Sequence, residues 1–192
     1  SEAGELPPKW DDLAHHYGLQ QRFEVEWLSR NSRFRSYDYG LKSVRRAQKW
    51  GADLIYTRLP QAAALGSLMG ISTIFEIHDF PYGSFGPWLL TRFLKGSGAR
   101  ALVVITAALR DALTSKFFLP ENLPLIVAPD GVDLERYQNL PSPPEARQSI
   151  ESEIRIPKSA FVAGYTGHLY TGRGADLILE IASQLPEVIF FL

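Results

Sequence analysis

Short apolar runs alternate with stretches of helical periodicity along most of this chain. Runs rich in Val, Ile and Leu are typical of strands buried on both faces of a parallel sheet. They predict strands at Phe23–Leu28, Asp53–Thr57, Thr73–His78, Ala101–Thr106 and Leu125–Ala128. The helical spacing between them predicts helices at Tyr39–Trp50, Gln61–Met69, Trp88–Lys95 and Ala108–Phe118.

This alternation predicts an α/β fold with Rossmann-like parallel sheets. A second series follows a proline-rich stretch, with a helix at Glu145–Ile154, a strand at Phe161–Tyr165, a helical pattern, and a strand in Glu187–Leu192. Two strands and one helix are too few to bury both faces of a parallel sheet. We therefore predict an incomplete first domain at 1–135, a linker and helix at 136–158, and the opening unit of a second domain at 159–192.

The composition narrows the function classes. With 192 residues, 45% hydrophobic and 21% charged, the chain is long and apolar enough for a real core. A net charge of −1 argues against nucleic acid as the main partner, and the lack of cysteine excludes thiolate metal sites in this chain. His15 and His16 have no further ligand at a recognisable spacing, so no metal is predicted. No apolar run has the length of a membrane span, and we expect a cytoplasmic protein.

Polar residues follow several predicted strands, where open α/β sheets place their ligand crevice. Arg58 and Thr106 stand at two of these ends and are candidate substrate-binding residues. The period of two within Thr73–His78 puts Glu76 and His78 on one face, with His78 at the tip. His78 could contact a ligand or donate a hydrogen bond to a phosphate. The alternative is a histidine hydrogen-bonded within the turn that follows.

The segment 160–176 combines a strand, a glycine-rich turn and a helix start. Its glycines, Gly167, Gly172 and Gly174, would let backbone N–H groups approach an anion, and Arg173 adds a charge suited to phosphate. The spacing is that of a P-loop, but Arg replaces the Lys and Gly replaces the Mg²⁺-binding hydroxyl residue. It is not a dinucleotide fingerprint either. An ordinary strand-to-helix connection remains open.

Several of these segments together carry a family resemblance. It rests on the strand ends Ile55–Arg58, Phe75–Asp79 and Val103–Thr106, on the turn Pro129–Asp133, and on the segments Tyr165–Leu169 and Arg173–Asp176. In this order they resemble the retaining GT-B glycosyltransferases of the glycogen-synthase-like class, family four. The resemblance covers about residues 50 to 192 and implies an incomplete GT-B two-domain architecture.

The resemblance implies transfer of a sugar from a nucleotide-sugar donor to a glycan or lipid-linked acceptor, with retention of configuration and no further cofactor. By position, His78 would be the catalytic residue near the transferred sugar. Gly167 and Arg173 would touch the donor diphosphate, in a substrate-binding loop that also includes His168 and Gly174. The family usually has Lys at the Arg173 position and often Arg at the His168 position.

Further departures from the family pattern limit the expected activity, and one of them is that the family's glycine-rich loop after the first strand of the first domain is absent. The family's pair of glutamates, eight positions apart, falls late in the second domain, beyond Leu192. The family's usual Asn is replaced by Asp130, which is therefore assigned no ligand. We expect this chain alone to be inactive. The alternative is a noncatalytic Rossmann-like module that binds a phosphate or nucleotide.

A peripheral membrane contact is a further possibility for an enzyme with a lipid-linked acceptor. Seven basic residues lie between Arg30 and Lys49 against one acidic residue, Asp38. The predicted helix after Gly83 also has aromatic residues beside Arg92 and Lys95. Basic charge with exposed aromatics favours an anionic membrane surface. The alternative is a solvated helix and a helix packed on the sheet.

Overall fold

The computed structural model describes residues 9–29, 37–132, 134–154, 156–167, 169 and 172–192. They divide into two compact units, 1–131 and 132–192, which are described separately. The domain boundaries predicted at 135/136 and 158/159 stay predictions.

The first unit is a four-stranded parallel sheet in the order β1-β2-β3-β4. Its strands are β1 (Ile55–Thr57), β2 (Thr73–Ile77), β3 (Ala99–Val104) and β4 (Leu125–Val127). Its helices are α1 (Trp10–Tyr17), α2 (Tyr37–Trp50), α3 (Pro60–Leu68), α4 (Phe85–Lys95) and α5 (Ala107–Lys116). The predicted α/β class with a parallel sheet is confirmed, because a helix separates each strand from the next.

The core lies between the central strands and the helices α3, α4 and α5. Phe75 and Ile77 of β2, Leu102 of β3 and Phe93 of α4 are at most 5% exposed, and the Phe75 and Phe93 rings meet edge to face at 5.5 Å. Gly98 permits a close approach beside this core, since a Cβ there would lie 2.2 Å from the Ile71 carbonyl oxygen. The apolar faces of β2 and β3 are thereby covered by helices.

The predicted strand at Phe23–Leu28 is wrong. This segment has no strand pairing, and Phe23, Val25 and Trp27 are between 41% and 56% exposed. Its side chains contact helices instead: the Phe23 ring packs edge-on against Trp10, and the Glu26 carboxylate lies 2.5 Å from Arg46 Nε on α2. Alternation of apolar and acidic residues favours an extended backbone, but a strand also needs a neighbouring backbone to pair with.

The second unit contains α6 (Pro143–Ile154), β5 (Phe161–Gly164), α7 (Ala175–Gln184) and β6 (Val188–Phe191), with a 3-10 turn at Leu134–Tyr137. β5 and β6 form a parallel pair of their own, with Phe161 opposite Val188. None of the described residues of this unit is buried. Leu177 and Leu179 of α7 are 58% and 57% exposed, as expected for a unit too small to enclose a core.

The buried ring of Phe93 generates a stability prediction. Phe93→Ala should lower the free energy of unfolding by about 3–5 kcal/mol, because it removes a fully buried ring and leaves a cavity. Phe118→Ala is the matched control, since Phe118 is 90% exposed, and it should change stability by less than about 0.5 kcal/mol. Urea unfolding followed by circular dichroism measures both values. If Phe93→Ala and Phe118→Ala lowered the free energy of unfolding equally, this placement of the core would be contradicted.

Candidate functional site

The carboxyl ends of neighbouring strands bring polar side chains together in the first unit. A cavity of about 230 Å³ opens there, beside Arg58 after β1, Glu76 on β2, and His78 and Asp79 directly after β2. Because the strands are parallel, their carboxyl ends meet at one edge of the sheet, where such folds place ligands. The predicted candidates Arg58 and His78 are therefore brought to the same place.

The carboxylate of Glu76 is the centre of this group. Its Oε2 accepts a hydrogen bond from the Tyr56 hydroxyl of β1, and its Oε1 is hydrogen-bonded to His78 Nε2. The Glu76 and His78 side chains are only 16% and 17% exposed. Arg58 lies farther out, with Nε 4.0 Å from Glu76 Oε1 and a side chain that is 62% exposed. Because water screens exposed pairs, Arg58 contributes little to holding the carboxylate.

The same contacts shift two pKa values in opposite directions. The hydrogen bond from Tyr56, then that from His78, lowers the pKa of Glu76 below its usual range, against a smaller opposing effect of burial. The hydrogen bond to Glu76, with burial and the negative charge of that carboxylate, raises the pKa of Tyr56. Glu76 is therefore a carboxylate and Tyr56 a neutral phenol at neutral pH, the states in which the tyrosine donates and the glutamate accepts.

Asp130, at the turn after β4, joins this group. One ligand atom from each of Glu76, His78 and Asp130 lies within 4.8 Å of the others. Carboxylate oxygens and an imidazole nitrogen are donors that divalent cations accept. In this structure, however, Glu76 and His78 Nε2 are engaged with each other. Asp130 stands after a predicted strand but was assigned no ligand from the sequence, and its approach to Glu76 and His78 is a finding of the tertiary structure.

Thr106, the other predicted residue at a strand end, caps helix α5. Its hydroxyl oxygen accepts a hydrogen bond from the Leu109 N–H at 3.1 Å, and its backbone is extended, as expected of an N-cap. The hydroxyl therefore has a structural role in this structure. Its predicted contact with substrate stays a prediction.

The glycine-rich loop lies in the second unit. Gly172 and Gly174 have φ values of +93° and +83°, a region that L side chains rarely adopt, and Gly174 directly precedes α7. The Tyr165 hydroxyl approaches the Arg173 carbonyl oxygen at 3.4 Å. The predicted glycines thus shape a turn at a helix start, where backbone N–H groups favour anions. The predicted residue His168 lies outside the described residues, and phosphate contacts of Gly167, Arg173 and Gly174 stay predictions.

Sequence reasoning missed Tyr56 and the role of Glu76. The period of two in β2 did place Glu76 beside His78, which is the signal that could have found it. Nothing in the sequence indicated which strand would lie next to β2. Tyr56 is in register with Ile74, two residues before Glu76, so its hydroxyl reaches the carboxylate diagonally across the strands.

Comparison with known protein families shows to which family this chain belongs. The parallel sheet, with helices between its strands and a polar cluster at their carboxyl ends, is Rossmann-like. The family model for Glycosyltransferase Family 4 matches residues 6–136. The chain therefore belongs to Glycosyltransferase Family 4, a family of the GT-B type. Comparison with curated proteins gives no match.

The helices of the described residues differ from membrane-spanning helices. None of them combines the length and the apolar character that crossing a bilayer requires.

The lowered pKa of Glu76 predicts a defined pH dependence of stability. A depressed folded-state pKa stabilises the fold above the unfolded glutamate value of about 4.3, and this contribution is lost as pH falls through the folded-state value. The stability difference between the wild type and Glu76→Gln should therefore be constant near neutral pH and shrink in acid. Urea unfolding at a series of pH values measures it.

Glu121→Gln is the control for this measurement, because Glu121 is exposed in a turn after α5. The free energy of unfolding of Glu121→Gln should differ little from that of the wild type at every pH. If the stability difference between the wild type and Glu76→Gln grew as the pH fell, the contacts described for Glu76 would be contradicted.

Proposed function

We propose that this chain forms part of a retaining sugar transferase that moves a glycosyl group from a nucleotide-sugar donor to a glycan or lipid-linked acceptor. The observation that carries the proposal is the match to Glycosyltransferase Family 4 over residues 6–136. The position of His78, at the carboxyl end of β2 and beside a cavity, supports it. Retention, the donor and the acceptor are parts of the proposal.

His78 contacts the transferred sugar in this proposal. Its ring is largely shielded from water and is held by Glu76, which removes much of the entropy cost of orienting it. A fixed hydrogen-bonding group contributes most when it is already aligned with the reacting group. His78 is accordingly the catalytic residue of the proposal, and Arg58 a substrate-binding residue at the edge of the same cavity.

The loop 167–174 binds the donor diphosphate in this proposal. Two glycines in left-handed conformations, the guanidinium of Arg173 and the start of the ten-residue helix α7 together suit a phosphate group. The resemblance assigns this contact to Gly167, His168, Arg173 and Gly174.

The alternative is a noncatalytic module that binds a nucleotide or phosphate. It shares the loop at 167–174 but gives His78 no role toward a sugar. The two proposals differ in whether the site distinguishes a nucleotide sugar from the free nucleoside diphosphate.

Donor binding provides the test. Calorimetric titration of this chain with UDP-glucose and GDP-mannose, and with UDP and GDP, should show tighter binding of one nucleotide sugar than of its diphosphate. Arg173→Ala should weaken both members of that pair by about 1.5–3 kcal/mol, the value of a charged hydrogen bond. His78→Ala should weaken only the nucleotide sugar. In the full-length enzyme it should lower turnover more than donor affinity.

Arg100→Ala and His16→Ala are matched controls, since both side chains are exposed and lie outside the proposed site. Neither should change donor affinity. Equal binding of nucleotide sugar and free diphosphate, unaffected by His78→Ala, would favour the noncatalytic module.

We further propose that the protein is cytoplasmic and contacts a membrane surface, where a lipid-linked acceptor would be located. Phe85 and Trp88 of α4 are 58% and 49% exposed, and the Arg92 guanidinium lies 5.2 Å from the centre of the Trp88 ring. Exposed aromatics with neighbouring cations suit the interface of an anionic membrane. Helix α2 is a weaker candidate, because Arg46 pairs with Glu26 and Lys42 with Asp38.

Vesicle flotation tests this contact. The chain should float with vesicles containing phosphatidylserine and not with pure phosphatidylcholine. Charge reversal by Arg92→Glu with Lys95→Glu should abolish flotation, because it replaces attraction by repulsion. The matched control is Arg100→Glu with Lys116→Glu, two exposed cations on other elements. Loss of flotation in both double variants would indicate a response to net charge alone and contradict a docking face on α4.

A further inference from the structure

Glu76 holds His78 by one ring nitrogen, and this contact determines which nitrogen is left for a ligand. Glu76 on β2 and His78 directly after it alternate along the chain with Phe75 and Ile77, which are buried in the core. Glu76 lies in a strand that is paired on both sides, with Val103 of β3 as its register partner. The backbone that carries the carboxylate is therefore fixed, and the carboxylate in turn is a fixed point for the imidazole.

The Tyr56 hydroxyl prevents the carboxylate from turning away. It occupies Oε2 and leaves Oε1 for His78 Nε2. The other charged groups near the pair are Arg58, with Nε 4.0 Å from Oε1, and Asp130, whose carboxylate approaches both Glu76 and His78. Both are on the outer side of the group, where Arg58 is 62% exposed and Asp130 is also exposed. Tyr56 is also 57% exposed, but its hydroxyl donates a direct hydrogen bond to Oε2, and this bond makes it the principal brace of Glu76.

Donor and acceptor chemistry assigns the protons in this group. An ionised carboxylate can only accept hydrogen bonds, and the lowered pKa of Glu76 keeps it ionised at neutral pH. The proton in its contact with His78 must then lie on Nε2. In the neutral imidazole Nδ1 is left with a lone pair. Among the residues that the structure describes, Nδ1 has no hydrogen-bond partner.

We propose that Glu76 is the positioning residue of this site: it fixes the Nε2–H form of His78 and leaves Nδ1 as the acceptor for a hydroxyl group of the bound sugar. The inference rests on the proposed function for the identity of the ligand. An Nδ1 lone pair accepts a hydrogen bond from a sugar hydroxyl, but it has nothing to donate to a phosphate oxygen. The neutral His78 site therefore selects for a hydroxyl-bearing group, and the diphosphate must find its donors elsewhere.

The first test is nuclear magnetic resonance of the histidine side chains in this chain, at mildly alkaline pH where ordinary histidine is neutral. Long-range ¹H–¹⁵N correlation identifies the protonated nitrogen of each ring. His78 in the wild type should carry its proton on Nε2, and that proton should exchange slowly with water. A proton on Nδ1 of wild-type His78 would overturn the inference, and this result needs no variant.

Variants test whether Glu76 is the cause. Glu76→Ala should abolish the slowly exchanging Nε2 proton, and Tyr56→Phe should speed its exchange because the carboxylate is no longer braced. Glu121→Gln, an exposed glutamate, should leave it unchanged. Amide spectra report whether each variant is folded. A protected Nε2 proton that persists in folded Glu76→Ala would overturn the role of Glu76.

Ligand titration separates this inference from the proposed function. Glu76→Ala should weaken whichever of UDP-glucose and GDP-mannose binds by about fivefold, the equivalent of one net hydrogen bond, and leave the matching diphosphate unchanged. Equal weakening of sugar and diphosphate would overturn the positioning role. If neither nucleotide sugar binds while His78 shows the Nε2–H form held by Glu76, the proposed function fails and the assignment of the imidazole stands.

Discussion

Burial of one face of β2 is the constraint on which the site depends. Phe75 and Ile77 pack with Phe93 and Leu102 under helices α3 to α5. Successive side chains of a strand point to opposite faces, so this burial leaves Glu76 and His78 no choice of side. A shift of register by one residue would put a carboxylate in the core and two apolar side chains at the site, at a large cost in free energy. The burial of Phe75 and Ile77 therefore also determines the side of the sheet on which Glu76 and His78 lie.

The Glu76 carboxylate is stable in this position because both of its oxygens accept hydrogen bonds. A carboxylate largely removed from water loses hydration, and two donors, from Tyr56 and His78, compensate for it. Tyr56 stands on the neighbouring strand, so sheet pairing and site geometry are coupled. Loss of the β1–β2 pairing would release both the hydroxyl and the carboxylate that it holds.

Much of the fold could be predicted from local pattern. The four sheet strands lie within or beside their predicted ranges, because apolar runs between helical segments are a strong signal for a covered parallel sheet. Phe23–Leu28 shows the limit of that signal: its alternation favours an extended backbone, but pairing depends on a neighbour that local sequence does not specify. The site was predictable to the same extent. His78 and Arg58 followed from their positions at strand ends; Asp130 has such a position too, but its approach to this pair did not follow from it, and Tyr56 was not predicted.

By itself, the sequence determined the alternation of the four sheet strands with helices α3 to α5, the shared side of Glu76 on β2 and of His78 directly after it, and the glycines that shape the loop before α7. These are local properties, set by side-chain period and backbone conformation. Only the tertiary structure decided that Tyr56 braces Glu76, that Asp130 approaches the same pair, and that Thr106 caps a helix. Those contacts join residues whose proximity depends on strand order and register, which arise when the sheet assembles around its core.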